Sequence, residues 1–347
     1  MKTTLIRRKD YRRAGFPGTA AGILACLLIA LPILMLPVNG LAKDWPEKAI
    51  TIIVPWAAGG GTDIVARSLA PKMSKTLGVP VQTVNKPGGS GIPGTLEAVK
   101  AAPDGYTLLW DCGGSSSMQY ALAKDLPYDV FDRTYIARAT TTPEGMMVPT
   151  TKPWKSMDEF VKAIQTDPSS ISFGMIGGTG IPDVLVYQLK AALKAKGVDV
   201  SKTRMVTYKG GGELVPAVAG GHVSAAFVSP GEMVAMLSAG KIRVLAVTSP
   251  SGKRYKGWPD VPTMAEAGFP TVDTYFWVGL GGAPGLPPNI VKTLDNAVRD
   301  AIKDADQDPA VVAAFDKLGL STGYLSGDEY KKFVREEGER VKAAVSK

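Results

Sequence analysis

Histidine occurs once in the 347 residues, at position 222, and cysteine twice, at positions 26 and 112. That supply excludes a disulfide framework and a zinc centre of the usual Cys/His kind. It leaves little for a Cys–His nucleophile, since His222 lies in a Gly-Gly turn before a strand and is the sole candidate base. HExxH, GxSxG and CxxC patterns are all missing, and no Gly-Lys-[Ser/Thr] phosphate loop occurs. The chain is 45% hydrophobic and 21% charged, the profile of an ordinary globular protein of about two domains. It is not that of a disordered, collagen-like or multi-span membrane chain.

The formal charge of +8 sits mostly in the first 42 residues, where Lys2, Arg7, Arg8, Lys9, Arg12 and Arg13 face one acid, Asp10. Five of the eight charges therefore belong to this segment, and no basic stripe with interleaved aromatics remains to read nucleic acid. The basic start is followed by a charge-free apolar run, AGILACLLIALPILMLPV (21–38), and by small residues at Gly40 and Ala42 before Lys43. This order is that of a cleavable export signal over residues 1–42. A membrane anchor is disfavoured by Pro32 and Pro37, and a lipoprotein reading by an apolar run that follows Cys26. Arginine pairs at 7–8 and 12–13 leave twin-arginine export open beside the general route. With Cys26 removed, the mature chain keeps Cys112 alone, in the periplasm and without a staple.

Beyond the leader, β-branched runs alternate with helical patterns. Strands are expected at 49–56, 106–110, 135–139, 171–175, 204–209, 224–229, 242–249 and 275–280. Helices are expected at 62–77, 92–101, 156–166, 181–196, 212–220, 230–239, 287–304, 309–318 and 326–345. Several strands are apolar throughout, as strands buried on both faces are, and the alternation predicts an α/β fold with mainly parallel sheets. Thr140–Pro153 and Pro250–Pro270 read as two crossings between lobes. They would place residues 44–143 and 268–347 in one lobe and 144–267 in the other, with a hinge-closing cleft between.

Glycine loops are what the sequence has in plenty. The first strand runs through Trp56, Ala57 and Ala58 into Gly59, Gly60 and Gly61, then into a helix with Thr62 or Asp63 as expected N-cap. Glycines allow close approach to the backbone, and a helix N-terminus presents unpaired N–H groups at a positive dipole end, so this loop is a candidate anion site. The layout recurs at Asp111-Cys112-Gly113-Gly114-Ser115-Ser116, at Gly177-Gly178-Thr179-Gly180, and at Lys209-Gly210. A further cluster, Asn85 to Gly91, also precedes a helix. Loops at the carboxyl ends of strands are where open α/β sheets bind ligands. Trp56 and Trp110 are candidate walls, Lys209 a candidate counter-charge, and no cofactor is expected.

The run WPEKAITIIVPWAAGGGTDIVARSLAPKMSKTLGVPVQTVNKPGGSG resembles the N-terminus of the mature Bug proteins, extracytoplasmic solute receptors of tripartite tricarboxylate transporters. AAPDGYTLL (101–109), LPYDVFDRTYIA (126–137), YKGGGELVPAVAGGHVSAAF (208–227), SAGKIRVLAVTS (238–249) and WPDVPTMAEAGFP (258–270) follow in the family's order. The resemblance implies a two-lobed Venus-flytrap receptor, expected as a monomer. It would take a di- or tricarboxylate or an aromatic carboxylate and pass it to the transporter's large and small membrane subunits. Alternatives are a receptor that signals to a sensor kinase and an exported enzyme using Cys112 or Asp63. Carried over by motif, Trp56 through Thr62 and Gly113 to Ser117 would hold the ligand from one lobe. Gly177, Gly178, Thr179, the Lys209–Gly211 turn and Ser229 would hold it from the other. The chain departs from many members at Trp56-Ala57-Ala58, at Asp111-Cys112 and at Phe227 to Pro230, places where the ligand's distal part is expected. Intact-mass analysis of the exported protein should find Lys43 at its amino terminus; a chain retaining residues 1–42 would overturn the leader assignment.

Overall fold

The computed structural model describes residues 45–176, 180–208 and 210–345. The leader, its cleavage position and Cys26 lie outside the described residues, as do Gly177, Gly178, Thr179 and Lys209. In chain order the first strands and helices are β1 (Ile50–Val54), α1 (Gly61–Leu77), β2 (Val81–Asn85), α2 (Ile92–Val99), β3 (Thr107–Cys112), α3 (Ser117–Leu122) and β4 (Thr134–Thr142). There follow β5 (Gly145–Pro149), α4 (Met157–Thr166), β6 (Ser172–Ile176), α5 (Ile181–Ala195), β7 (Arg204–Tyr208), α6 (Gly211–Ala219), β8 (Ala226–Val228), α7 (Pro230–Ser238) and β9 (Ile242–Val247). The chain ends with β10 (Phe276–Gly282), α8 (Pro288–Asp306), α9 (Pro309–Leu318), β11 (Ser321–Ser326) and α10 (Gly327–Val345).

One sheet has the order β11-β4-β10-β3-β1-β2; a second has β8-β5-β9, and β6 pairs with β7 in a third. A bridge from Phe173 to Ala225 links the last two. The result is a two-lobed α/β fold. Its sheets are mixed: β1–β2, β1–β3 and β6–β7 run parallel, whereas β10 lies antiparallel between β3 and β4, and β5 lies antiparallel between β8 and β9. Each parallel pair is joined through helices, whereas β5 and β10 enter their sheets from the other sheet system and pair antiparallel there.

The all-apolar strands are buried as their composition requires: Ile50, Ile52, Val54, Leu108 and Trp110 are solvent-inaccessible. Trp110 is thus core and not a wall of any cleft. Against them, α1 presents Val65, Leu69 and Met73, and α8 presents Leu294, Val298 and Ile302, each four residues apart. A separate core gathers Phe160, Phe173, Leu185, Leu189, Phe227 and Leu245 around the smaller sheets.

The first passage between sheet systems is short. β4 runs to Thr142 and β5 begins at Gly145, so Pro143 and Glu144 make the whole connection. The Thr/Pro-rich stretch that reads as a linker is therefore mostly strand, because β-branched threonines pack well in buried pleats and Thr140, Thr141 and Thr142 are buried here. The return passage lies beside it: Glu144 N–H donates to Thr248 Oγ1 at 2.9 Å, and Thr248 N–H donates to Glu144 O at 2.8 Å. Burial, with the Glu232 charge beside it, pushes the Glu144 carboxyl well above its usual range.

Helix α10 crosses the back of the large sheet, with Tyr330 edge-on to Trp277 and Tyr135. β10 accommodates that ring only because residue 279 is glycine: a Cβ there would lie 2.6 Å from Tyr330 Cζ. Gly279→Ala should destabilise the protein by about 1–3 kcal/mol in urea denaturation, as overpacking does. A variant as stable as the parent would contradict this packing.

Candidate functional site

α1 begins where the first strand's loop ends. Gly60 takes the N-cap position in an extended conformation, and the first intrahelical bond runs from Ile64 N–H to Gly60 O at 3.0 Å. The expected cap, Thr62 or Asp63, is thus two or three residues too late. Asp63 instead reaches back, accepting from Gly59 N–H at 2.9 Å, from Arg67 Nε at 3.0 Å and from Asn85 Nδ2 at 2.9 Å. Burial pushes this carboxyl up, but the Gly59, Arg67 and Asn85 bonds outweigh it and hold it below the usual range. The N–H groups of Gly61 and Thr62 precede the first helical bond and have no intrahelical acceptor.

Gly60, Gly61 and Thr62 open onto a cavity of about 560 Å³, a size suited to a small molecule. Trp56, Cys112 and Gly114 also line it, so the loops after β1 and β3 meet there. Two glycines seat aromatic rings. A Cβ on Gly114 would lie 2.9 Å from the Trp56 ring, and one on Gly61 would lie 3.1 Å from the Phe276 ring. Phe276 comes from the start of β10, far along the chain. From the smaller sheets Ile176, Gly180 and Ile181 complete the wall, at the start of α5. That helix repeats the device of α1: Asp183 accepts from Ile176 N–H at 2.6 Å and from Gly180 N–H at 2.8 Å.

The other anticipated residues fall around this cavity. Ala57, Ala58 and Gly59 lie exposed in the loop beside it, and Asp63 is buried behind it. Ser115 and Ser116 are buried with their hydroxyls turned to Asp111. Asp111 pairs with Arg133 at 3.1 Å, both side chains buried, and also accepts from Tyr330 and from Cys112 N–H. The departure at Asp111 therefore braces the loop from behind, while its neighbour Cys112 faces the cavity. Burial and the Asp111 charge push the Cys112 thiol above its usual value, which leaves it a poor nucleophile. His222 is exposed in the turn after α6. Gly210 caps α6 and Ser229 caps α7, its hydroxyl on Glu232 at 3.1 Å; neither lines the cavity, nor do the buried Phe227 and Val228.

Sequence reasoning missed Ser90, Ile92, Met118, Gln119, Leu122, Ala123, Ile181 and Phe276 as lining residues. For Ser90 a signal existed in its flanking glycines. It holds a left-handed backbone with φ of 54°, and its carbonyl accepts from Gln119 Nε2 at 2.9 Å. The others are apolar or amide side chains on ordinary helices, at their ends or, for Phe276, at the start of β10, and only the fold aims them at the cavity.

Comparison with known proteins gives consistent results. The family described as "Tripartite tricarboxylate transporter family receptor" matches residues 65–347. A protein in the gbd 5' region of Cupriavidus necator is 31% identical over 98% of this chain and 97% of its own. Protein BugT of Bordetella pertussis is 28% identical over 92% and 94%. Among solved structures, MatC from Rhodopseudomonas palustris with bound malate superposes with a TM-score of 0.67 at 28% identity, covering 87% of this chain and all of that one. An R. palustris protein with adipate gives 0.68 at 25% identity, over 87% and 98%.

Glu337 of α10 supports the cavity from below. It is fully buried and accepts from Ser117 Oγ at 2.5 Å and from Trp277 Nε1 at 2.8 Å. Ser117 opens α3, which carries Met118, Gln119 and Leu122 into the wall. Burial pushes the Glu337 carboxyl from 4.5 to about 7. A folded value above the unfolded one means that the folded protein holds the proton more tightly. The contribution is complete below pH 4.5 and is lost as pH rises through about 7. Across that window the wild type should lose about 3 kcal/mol relative to Glu337→Gln, read from denaturation curves at each pH. Parallel pH profiles would contradict the assignment.

Proposed function

The chain belongs to the tripartite tricarboxylate transporter receptor family, the Bug-type solute receptors, and on that premise we propose that it captures an organic acid in the periplasm and delivers it to that transporter's membrane subunits. The observation that carries this reading is the start of α1, where the N–H groups of Gly61 and Thr62, which have no intrahelical acceptor, border a cavity closed on its other side by Ile176, Gly180 and Ile181. Charge-assisted bonds to such donors contribute about 1.5–3 kcal/mol each, so a few hold a carboxylate without an arginine. The relatives with malate and adipate support a carboxylate as the ligand. Among the described residues no helix is long and apolar enough to cross a membrane, in keeping with a receptor that works beside its transporter.

Residues 44–143 with 268–347 form one lobe in this reading, and residues 144–267 the other. The paired passages at Glu144 and Thr248 are where the lobes turn on each other. Closure buries the acid and creates the surface offered to the transporter. Gly177, Gly178, Thr179 and Lys209 belong to the second lobe's contribution in this reading, and Gly210 and Ser229, which lie outside the cavity wall, join it only on closure.

Thermal-shift titration with a panel of carboxylic acids and their uncharged amides tests it. A bound acid at one hundred times its dissociation constant should stabilise the protein by about 2.7 kcal/mol, with no response to the amide. Indifference to every acid in the panel would overturn the proposal.

A further inference from the structure

Besides the two chain passages, two helix pairs join the sheet systems, α5 with α10 and α7 with α9. They are built differently. Where α5 meets α10, Met118, Val184 and Val341 form a buried apolar cluster. Beside it Gln188 Nε2 donates to Thr274 Oγ1 at 2.9 Å, and Arg340 pairs with Asp273 at 3.0 Å. Side chains interlock there, and polar bonds fasten them.

The start of α7 meets the end of α9 as backbone against backbone. A Cβ on Gly231 would lie 2.4 Å from Lys317 O and 2.7 Å from Leu318 Cα. Gly319, the left-handed cap of α9 with φ of 71°, takes the Pro230 ring in the same way: a Cβ there would lie 2.8 Å from it. Among the described residues no hydrogen bond or ion pair crosses this seam. Its attraction is therefore dispersion alone, and a gap of roughly 0.5–1 Å would already forfeit a quarter to a half of it. Such a contact has its full value only when the two surfaces meet completely, and it parts without breaking a bond.

We infer that the α7–α9 seam is the closure latch of the cleft, parted when the cavity is empty and shut when an acid is held, with the glycines at 231 and 319 setting how closely the lobes can meet. This rests on the division into lobes given above, with α7 in one and α9 in the other. The α5–α10 contact stays fastened as the pivot. Neither glycine lines the cavity, so the latch adjusts affinity only through the share of molecules that can close.

Gly231→Ala tests this. Residue 231 lies inside α7, where alanine suits a helix better than glycine, so the ligand-free variant should melt at or above the temperature of the parent. Isothermal titration with malate, adipate and benzoate should show every acid that the parent binds held roughly 10-fold more weakly or worse by the variant. Small-angle scattering should show the parent contracting with that acid and the variant contracting less. A lowered ligand-free melting temperature would make the seam permanent core packing, and an affinity equal to that of the parent would deny it a part in closure; either result overturns the inference. Indifference of the parent to all three acids would count against the organic-acid reading alone, because the melting comparison needs no ligand.

Discussion

At both helix starts that border the cavity, a carboxylate at the third helical position turns back onto backbone N–H groups ahead of the helix. Asp63 takes the Gly59 N–H, and Asp183 takes those of Ile176 and Gly180. Without that tether a glycine-rich loop has the largest conformational entropy to lose on ordering. With it, the Gly59–Gly61 backbone before α1 is fixed before any ligand arrives. Preorganised donors do not have to be reorganised at the moment of binding, which is what lets neutral backbone hold an anion.

The tethers are themselves braced. Arg67 and Asn85 hold Asp63, and the Asp111–Arg133 pair anchors the loop after β3 from within the core. Removing one member of such a buried pair leaves the other charge without compensation, so the pair is a demanding feature to maintain. Its geometry accounts for it: Asp111 accepts from Ser115, Ser116, Tyr330 and Cys112 N–H, so one carboxylate sets the path of the whole loop. Aromatic rings do the remaining shaping, Trp56 on Gly114 and Phe276 on Gly61. The glycines thus serve two ends, access to N–H groups and room for rings.

Chemistry and mechanics meet at α10. Its Glu337 touches Ser117 and Trp277, and Arg340 pairs with Asp273 at 3.0 Å in the return passage between sheets. On α5, Gln188 donates to Thr274 in the same passage, and Met118, Val184 and Val341 form a small apolar cluster. The floor of the cavity and the segment linking the sheet systems therefore share one helix.

Much of this was legible in residue order alone. Short apolar, β-branched runs located eight strands and helical patterns nine helices, because burial on both sheet faces or on one helix face imposes those patterns. The turn and helix-start signals located the Gly59–Thr62 and Gly113–Ser116 loops, since few residues other than glycine suit them. Three strands escaped. β2 is short and half polar, β11 is half-buried with no fully buried residue, and β5 lies in a stretch whose threonines and prolines resemble a linker. The side chains of the site escaped more often than its backbone. Ser115 and Asp111 look like ligand groups in one dimension, yet they face each other in the core. Phe276, Met118 and Leu122 look like ordinary core residues, yet they face the cavity. Local sequence determines where a backbone can turn and begin a helix, because those preferences act within a few residues. Which side chain looks into the cleft depends on contacts between segments as far apart as Gly61 and Phe276, and only the folded chain decides those.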